Sequence, residues 1–563
     1  MRNYLALAAA CSLTLASCTA LDADGSFTAS AASETTASSA ADADTTNPPT
    51  AQQQLAANSQ ATTVEADTSG ATDWDGGEIT SGGVYRITGT HDRVTVNAPD
   101  QQVVLILDNA TITGQISVDA GDAALVLEGD STVAAEGVGT DAGAINAASD
   151  LTVTGSGSLR VTSSGDGVVA KDDLVVQSGT LTVDAADDGL RGTDSVTLAG
   201  GAVTVTAGAD AVTSTKDAAE DATKGWISLS GATATLTAGD DALSASTDVI
   251  LTDGTLNATA TDKGISAGRY ILASGGEATI DAQDDAVHSD GALRLSGGTL
   301  AASAGDDGIH AEVAAVLDGA DVTVAKSGEA LEGGLITISA GTVDLTSTDD
   351  GINASGSTTV EEGEAAVAES GDAGNTGATD AADTGAGMPP MSFMLEGQAG
   401  QPPQGGTDAS TGEQLTISGG TVTVNAGGDG LDSNGGATIS GGSTTVFGPT
   451  DNGNGALDVA GTFTVSGGSL LAVGSAGMAE TPDSSSAQAW IQSSISAAAG
   501  DTVEVTGQDG SVLASVTTPK VAQNLVYSSP DVAAGQTYQV NGTAVTTNTA
   551  TAAGRGMGGP GPR

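Results

Sequence analysis

The stretch GGEATIDAQDDAVHSDGALRLSGGTLAASAGDDGIHAE, Gly275–Glu312, writes one pattern twice. Asp284-Asp285-Ala286-Val287 returns 22 residues later as Asp306-Asp307-Gly308-Ile309. Working outward, the small and apolar pair recurs at Ala144-Ile145, Gly167-Val168, Gly189-Leu190, Ala211-Val212, Ala242-Leu243 and Gly264-Ile265. It continues at Ala330-Leu331, Gly351-Ile352, Gly430-Leu431 and Ala456-Leu457. Most steps are 21 to 23 residues; the exceptions are 31, 79 and 26. The step of 31 carries the insertion STKDAAEDATKG, and the step of 79 carries the low-complexity stretch 356–412.

Within each repeat the alternation has period two, as in GTLTVDA, AVTVTAG and GTVTVNAG, followed by a second short run such as SVTLAGG or LTISGG. Short alternating runs punctuated by Gly and Asp read as strands and turns. Three strands and three turns use about 22 residues, which is one coil of a parallel β-helix. The sequence predicts an all-β fold: a right-handed parallel β-helix of roughly eleven coils with a small C-terminal β cap. Propeller blades need about 40 residues each.

Composition agrees. The 563 residues include 81 glycines and only 2% aromatics, so Val, Leu, Ile and Ala must fill the interior. Acidic residues outnumber basic ones 71 to 15, a formal net charge of −56. Such a surface repels nucleic acid and anionic lipid and favours cations.

The start, MRNYLALAAACSLTLASC, has Arg2, an apolar run and LASC at Leu15–Cys18. It resembles a bacterial lipoprotein signal, which implies lipidation of Cys18 and an anchor on the extracellular face of the cell membrane. The apolar run is short for a membrane-spanning helix. The expected organisation is a signal at 1–18, a disordered tether at 19–72, the β-helix at 73–483, a β cap at 484–548 and a disordered tail at 549–563. The tether reading rests on a scarcity of large apolar side chains. A monomer is expected.

The acidic pairs are the candidate site. Equivalent positions on adjacent coils lie about 4.8 Å apart. Two unit charges at that spacing repel by about 1 kcal/mol in water, and by several-fold more near a protein surface. Full pairs stand at Asp187/Asp188, Asp240/Asp241, Asp284/Asp285, Asp306/Asp307 and Asp349/Asp350, with Asp166 and Asp210 in the same column. Calcium takes six to eight oxygen ligands and would relieve the repulsion. The plainer reading is turn chemistry, with Asp capping backbone N–H groups beside Gly. Asp172, Asp173 and Asp194 form a second acidic set.

Cations are few. Lys263 replaces an aspartate between Asp241 and Asp285. It is either an internal counter-ion or a group that meets an anionic sugar. Arg191 and Lys171 adjoin acidic pairs and could meet a uronate carboxylate. His288 and His310 are 22 residues apart. Stacked, they could bind a transition metal or respond to pH; surface decoration is the plainer reading.

The run GVVAKDDLVVQSGTLTVDAADDGLRGTDSVTLAGGAVTVTAGADAVTS, Gly167–Ser214, resembles the carbohydrate-binding-domain β-helix family of bacterial surface proteins. GGVYRITGT, VVLILDNATITG, KGWISLSGATATLTAGDDALSA and AQAWIQSSISAAAGDTVEVTG extend the likeness over about 73–548. The resemblance implies calcium-dependent binding of polygalacturonate or cellulose and a fold like that of β-helical polysaccharide lyases. An acidic polysaccharide is therefore the expected partner and Ca²⁺ the expected cofactor. The alternatives are a pectate-type lyase with Lys263 as base, or a non-catalytic adhesin or spacer.

Overall fold

The computed structural model describes residues 45–139, 142–360, 362–363, 365–366 and 412–548. The expected signal, Cys18, most of 356–412 and the tail 549–563 lie outside the described residues. Among the described residues no helix is long and apolar enough to cross a membrane.

Residues about 22 apart pair in parallel along three columns. Leu174 pairs with Val196 in the first, Leu181 with Val203 in the second and Leu190 with Val212 in the third. The result is a β-solenoid of about 16 turns with about 22 residues per turn and almost no helix. The acidic corners mark fewer turns because residues 72–139 already coil without them. There Gly83 pairs with Val103, and Val94 pairs with Ile116.

Alternation explains the second column. In Thr180–Ala185 the odd positions Leu181, Val183 and Ala185 are buried, and the even ones face outward. Stacked copies merge into one core running from Ile79 to Val526, filled almost wholly by Val, Leu, Ile and Ala. Each buried Val or Leu is worth about 1.5–3 kcal/mol, so the small side chains suffice. The Gly-Gly corners between the first and second columns have a backbone cause. Gly201, Gly276 and Gly298 sit at φ of 82°, 83° and 84°, a region that side chains disfavour. A Cβ on Gly200, their neighbour at one such corner, would lie 2.4 Å from the Gln177 carbonyl oxygen of the preceding turn.

The first column departs from strict alternation, and its outer face is covered. Residues 45–72, expected as part of a disordered tether, are laid along the solenoid instead. Thr50 and Gln53 form a capping box that starts the helix Ala51–Ala57. Ala51 and Leu55 pack on Ile250, Tyr270, Leu272, Ala292, Val313 and Ala314. Gln54 and Asn58 each donate to Oδ2 of buried Asp248 at 2.9 Å, and Arg269 Nη2 meets the same oxygen at 2.6 Å. Further along, Val64 covers Val104, Ile106, Ala124 and Val126. Low apolar content misleads here because a few anchors on an apolar face are enough.

At the other end, Ala522–Ser528 pairs antiparallel with Ser469–Gly474 and with Trp490–Ala497. This pairs the last strand of the second column, Ser469–Gly474, which would otherwise present an open edge. A four-stranded antiparallel sheet follows, built from Thr502–Thr506, Val512–Thr517, Thr537–Val540 and Thr543–Thr546.

Candidate cation-binding column

The acidic corner precedes the third column, whose short strands (Leu190–Gly192, Leu243–Ala245, Val287–Ser289) keep it in register turn after turn. Six aspartates of the column, Asp166, Asp188, Asp210, Asp241, Asp285 and Asp350, make one contact repeatedly. The Oδ1 of each accepts the backbone N–H at the same position of the next turn. The distances are 3.3 Å for Asp188 to Asp166, 3.2 Å for Asp210 to Asp188 and 3.1 Å for Asp241 to Asp210. They are 2.8 Å for Lys263 to Asp241, 2.8 Å for Asp307 to Asp285 and 2.5 Å for Asp429 to Asp350. The turn-chemistry reading thus holds in a modified form: the cap runs between turns, not within one.

The remaining oxygens and the first aspartates decide what the corner can hold. Asp240, Asp241 and Asp262 bring carboxylate oxygens within 4.8 Å of one another, and so do Asp284, Asp285 and Asp306. Lys263 sits between these groups, with Nζ 3.2 Å from Asp284 and 3.6 Å from Asp262. Asp307 joins His310 and Glu332 in another such group. Of the other sequence-predicted ligands, Asp166, Asp187, Asp188, Asp210, Asp349 and Asp350 enter no three-member group among the described residues. Arg191 explains part of this: its guanidinium lies 2.5 Å from Asp166 and 3.9 Å from Asp188.

The cations expected to meet sugar divide accordingly. Arg191 and Lys263 are engaged by the protein's own carboxylates, while Lys171 is exposed. In the second acidic set, Asp173 accepts from Ser195 and from the Thr62 N–H, and Asp194 pairs with Lys224. Asp173 thereby ties the N-terminal segment to the first column.

Burial dominates the electrostatics. It pushes Asp210 up to about 8, with Asp241 and Asp188 adding repulsion. It lifts Asp241 to about 7, and Asp166 to about 7 against the pull of Arg191. Asp285 goes the other way: burial resists ionisation, but the hydrogen bond from His288 and the nearby His310 imidazole hold it well below the usual range. His288 rises to about 10, because its carboxylate partners Asp285 and Asp290 outweigh its own burial.

Sequence reasoning missed Asp262 and Glu332 as candidate ligands. It also placed His288 on the surface, whereas that side chain is only 7% exposed. A signal existed in the residue directly after the apolar member of each recurring small–apolar pair from Val287 onward. The ladder His288, His310, Glu332, Asn353, Asp432, Asp458 is polar throughout and in register.

Fold and corner together define a class: a parallel β-solenoid carrying a stacked carboxylate column. Residues 75–308 and 304–453 match the family described as carbohydrate-binding domain-containing protein. The chain belongs to that family, and a carbohydrate-binding role fits it. No curated protein matches the chain. A solved structure titled as the polysaccharide lyase-like protein from C. thermocellum, gadolinium derivative, is similar at 23% identity, covering 43% of this chain and 86% of its own, with a TM-score of 0.28.

Proposed function

We propose that the protein is a calcium-dependent binder of acidic polysaccharide, of the polygalacturonate kind, held at the outer face of the cell membrane through a lipid on Cys18. The observation that carries this reading is the pair of all-carboxylate groups, Asp240/Asp241/Asp262 and Asp284/Asp285/Asp306, flanking Lys263. Oxygen-only donor sets suit a hard cation such as Ca²⁺. Each group includes an outward first aspartate, Asp240 or Asp306, that is exposed. An ion there would keep coordination positions for a uronate carboxylate. Calcium would then bridge two anions that otherwise repel.

Aromatic placement supports an anionic over a neutral sugar. Trp226 and Tyr270, the aromatics of the acidic-column turns before the long insertion, are 4% and 3% exposed. Neither offers a stacking platform. The lyase alternative needs Lys263 as a base, and its placement between Asp262 and Asp284 suits an internal counter-ion instead. Calcium titration of the EDTA-stripped chain tests the site. Saturable heat that weakens in Asp240→Asn and Asp306→Asn supports the reading, and a titration without heat contradicts it.

A further inference from the structure

Three consecutive turns bring a different donor set together. Oδ2 of Asp285 lies 2.8 Å from Nδ1 of His288 and 3.9 Å from Nδ1 of His310. On the far side, Nδ1 of His310 is 3.7 Å from Oδ2 of Asp307. Asp285, His288 and His310 place ligand atoms within 4.8 Å of one another, and Asp307, His310 and Glu332 do the same. His310 is common to both sets. The two imidazoles meet edge to face, with ring centroids 4.9 Å apart.

The outer nitrogens are also spoken for. Nε2 of His288 lies 3.3 Å from Oδ1 of Asp290, and Nε2 of His310 lies 3.8 Å from Oε1 of Glu312. Each ring therefore turns Nδ1 toward a shared carboxylate and backs Nε2 with another. That is the arrangement in which a metal-ligating histidine is oriented by an outer carboxylate. The periodic fold produces it from sequence: His288 pairs with His310, and His310 with Glu332, in the parallel ladder.

We propose that a divalent transition-metal ion of the zinc class binds here, ligated by Nδ1 of His288, Nδ1 of His310 and Asp285, with Asp307 and Glu332 beside it to complete the shell. Imidazole nitrogen selects zinc, nickel, cobalt or copper over calcium. Zinc–nitrogen bonds of about 2.0–2.1 Å require small adjustments of the observed separations. The ion takes the place of the proton between His288 and Asp285. His288 is nearly enclosed, whereas the His310 side chain is 20% exposed, so the ion enters from the His310 side.

This site stands apart from the calcium reading. It shares only Asp285 with the neighbouring all-carboxylate group, and it uses a different metal class. The test uses the EDTA-stripped full chain titrated with Zn²⁺, and separately with Co²⁺, in excess Ca²⁺. The expected result is one equivalent of Zn²⁺ resistant to Ca²⁺, and visible cobalt absorption of a nitrogen-containing site. Both are lost in His310→Ala. Glu312→Gln, which removes only an outer carboxylate, weakens Zn²⁺ binding by roughly 10-fold. His91→Ala changes neither, because His91 lies elsewhere, beside Trp74. Absence of Zn²⁺ binding overturns the proposal, as does binding unchanged in His310→Ala or displaced by Ca²⁺. If His288 and His310 serve only as counter-ions to the carboxylates, the titration shows no stoichiometric Zn²⁺. Calcium binding without zinc binding removes this proposal alone; zinc binding without calcium binding removes the other alone.

Discussion

The backbone N–H of Asp307 donates to Oδ1 of Asp285, 22 residues earlier, at 2.8 Å, while Oδ2 of the same carboxylate meets His288 at 2.8 Å. One buried side chain therefore joins two turns and neutralises a buried imidazole. Asp306, beside this ladder, is exposed. Asp285→Ala should cost about 3–5 kcal/mol, the range for breaking a buried pair by removing one partner. Asp306→Asn should stay within about 0.5 kcal/mol of wild type without metal. Urea unfolding in EDTA measures both. Equal losses would mean that the first and second positions of the neighbouring pairs Asp284/Asp285 and Asp306/Asp307 are not differentiated.

Asp248 is the anchor of the N-terminal segment. It is fully buried and receives Gln54, Asn58 and Arg269. Asp248→Ala should destabilise by about 3–5 kcal/mol, because it strands a buried guanidinium. It should also release the segment around the helix Ala51–Ala57, so limited proteolysis should cut there first. A variant whose N-terminal segment resists protease as well as wild type would contradict this anchoring.

The column also sets a pH dependence. The folded-state values of Asp166, Asp210 and Asp241 are raised to about 7, 8 and 7, above an unfolded value of 3.8. The folded chain thus binds protons more tightly than the unfolded one. That contribution is complete below the unfolded value and is lost as pH rises through the folded values. His288, raised to about 10, acts in the same direction at the alkaline end. In EDTA, Tm should fall between about pH 5 and about pH 9, and Ca²⁺ should reduce the fall by stabilising the ionised carboxylates. A Tm in EDTA that is flat or rising across this window would contradict the burial of charge in the column.

The solenoid was legible in the sequence because its period is enforced by packing. A shift of one residue would turn Leu181 and Val183 outward, so the interval near 22 is conspicuous in the chain. The acidic corner was legible for the same reason. The ordered segment at 45–72 was not, because Ala51, Leu55 and Val64 are isolated apolar residues in a polar stretch. Its counterpart was visible, though. VVLIL at 103–107 is apolar on both faces, which demands a cover outside the core. The division of labour within each Asp pair was hidden too. Identical residues acquire different roles only once one faces the next turn's backbone and the other faces solvent, as Asp241 and Asp240 do.

The Gly-Gly corners allow a local check on the turn geometry. Gly201 has φ of 82°, and a Cβ there would lie 2.5 Å from the Gly179 carbonyl oxygen. Gly201→Ala should destabilise by more than about 1 kcal/mol. Denaturant unfolding measures it, and a neutral substitution would contradict the left-handed corner.

The central claim is that calcium on the acidic column carries the polysaccharide. Its most direct test is the affinity of the full chain for polygalacturonate, measured in Ca²⁺ and again in EDTA. The account predicts binding in Ca²⁺ that EDTA abolishes and that Asp240→Asn with Asp306→Asn weakens. Binding of equal strength in both conditions would contradict it.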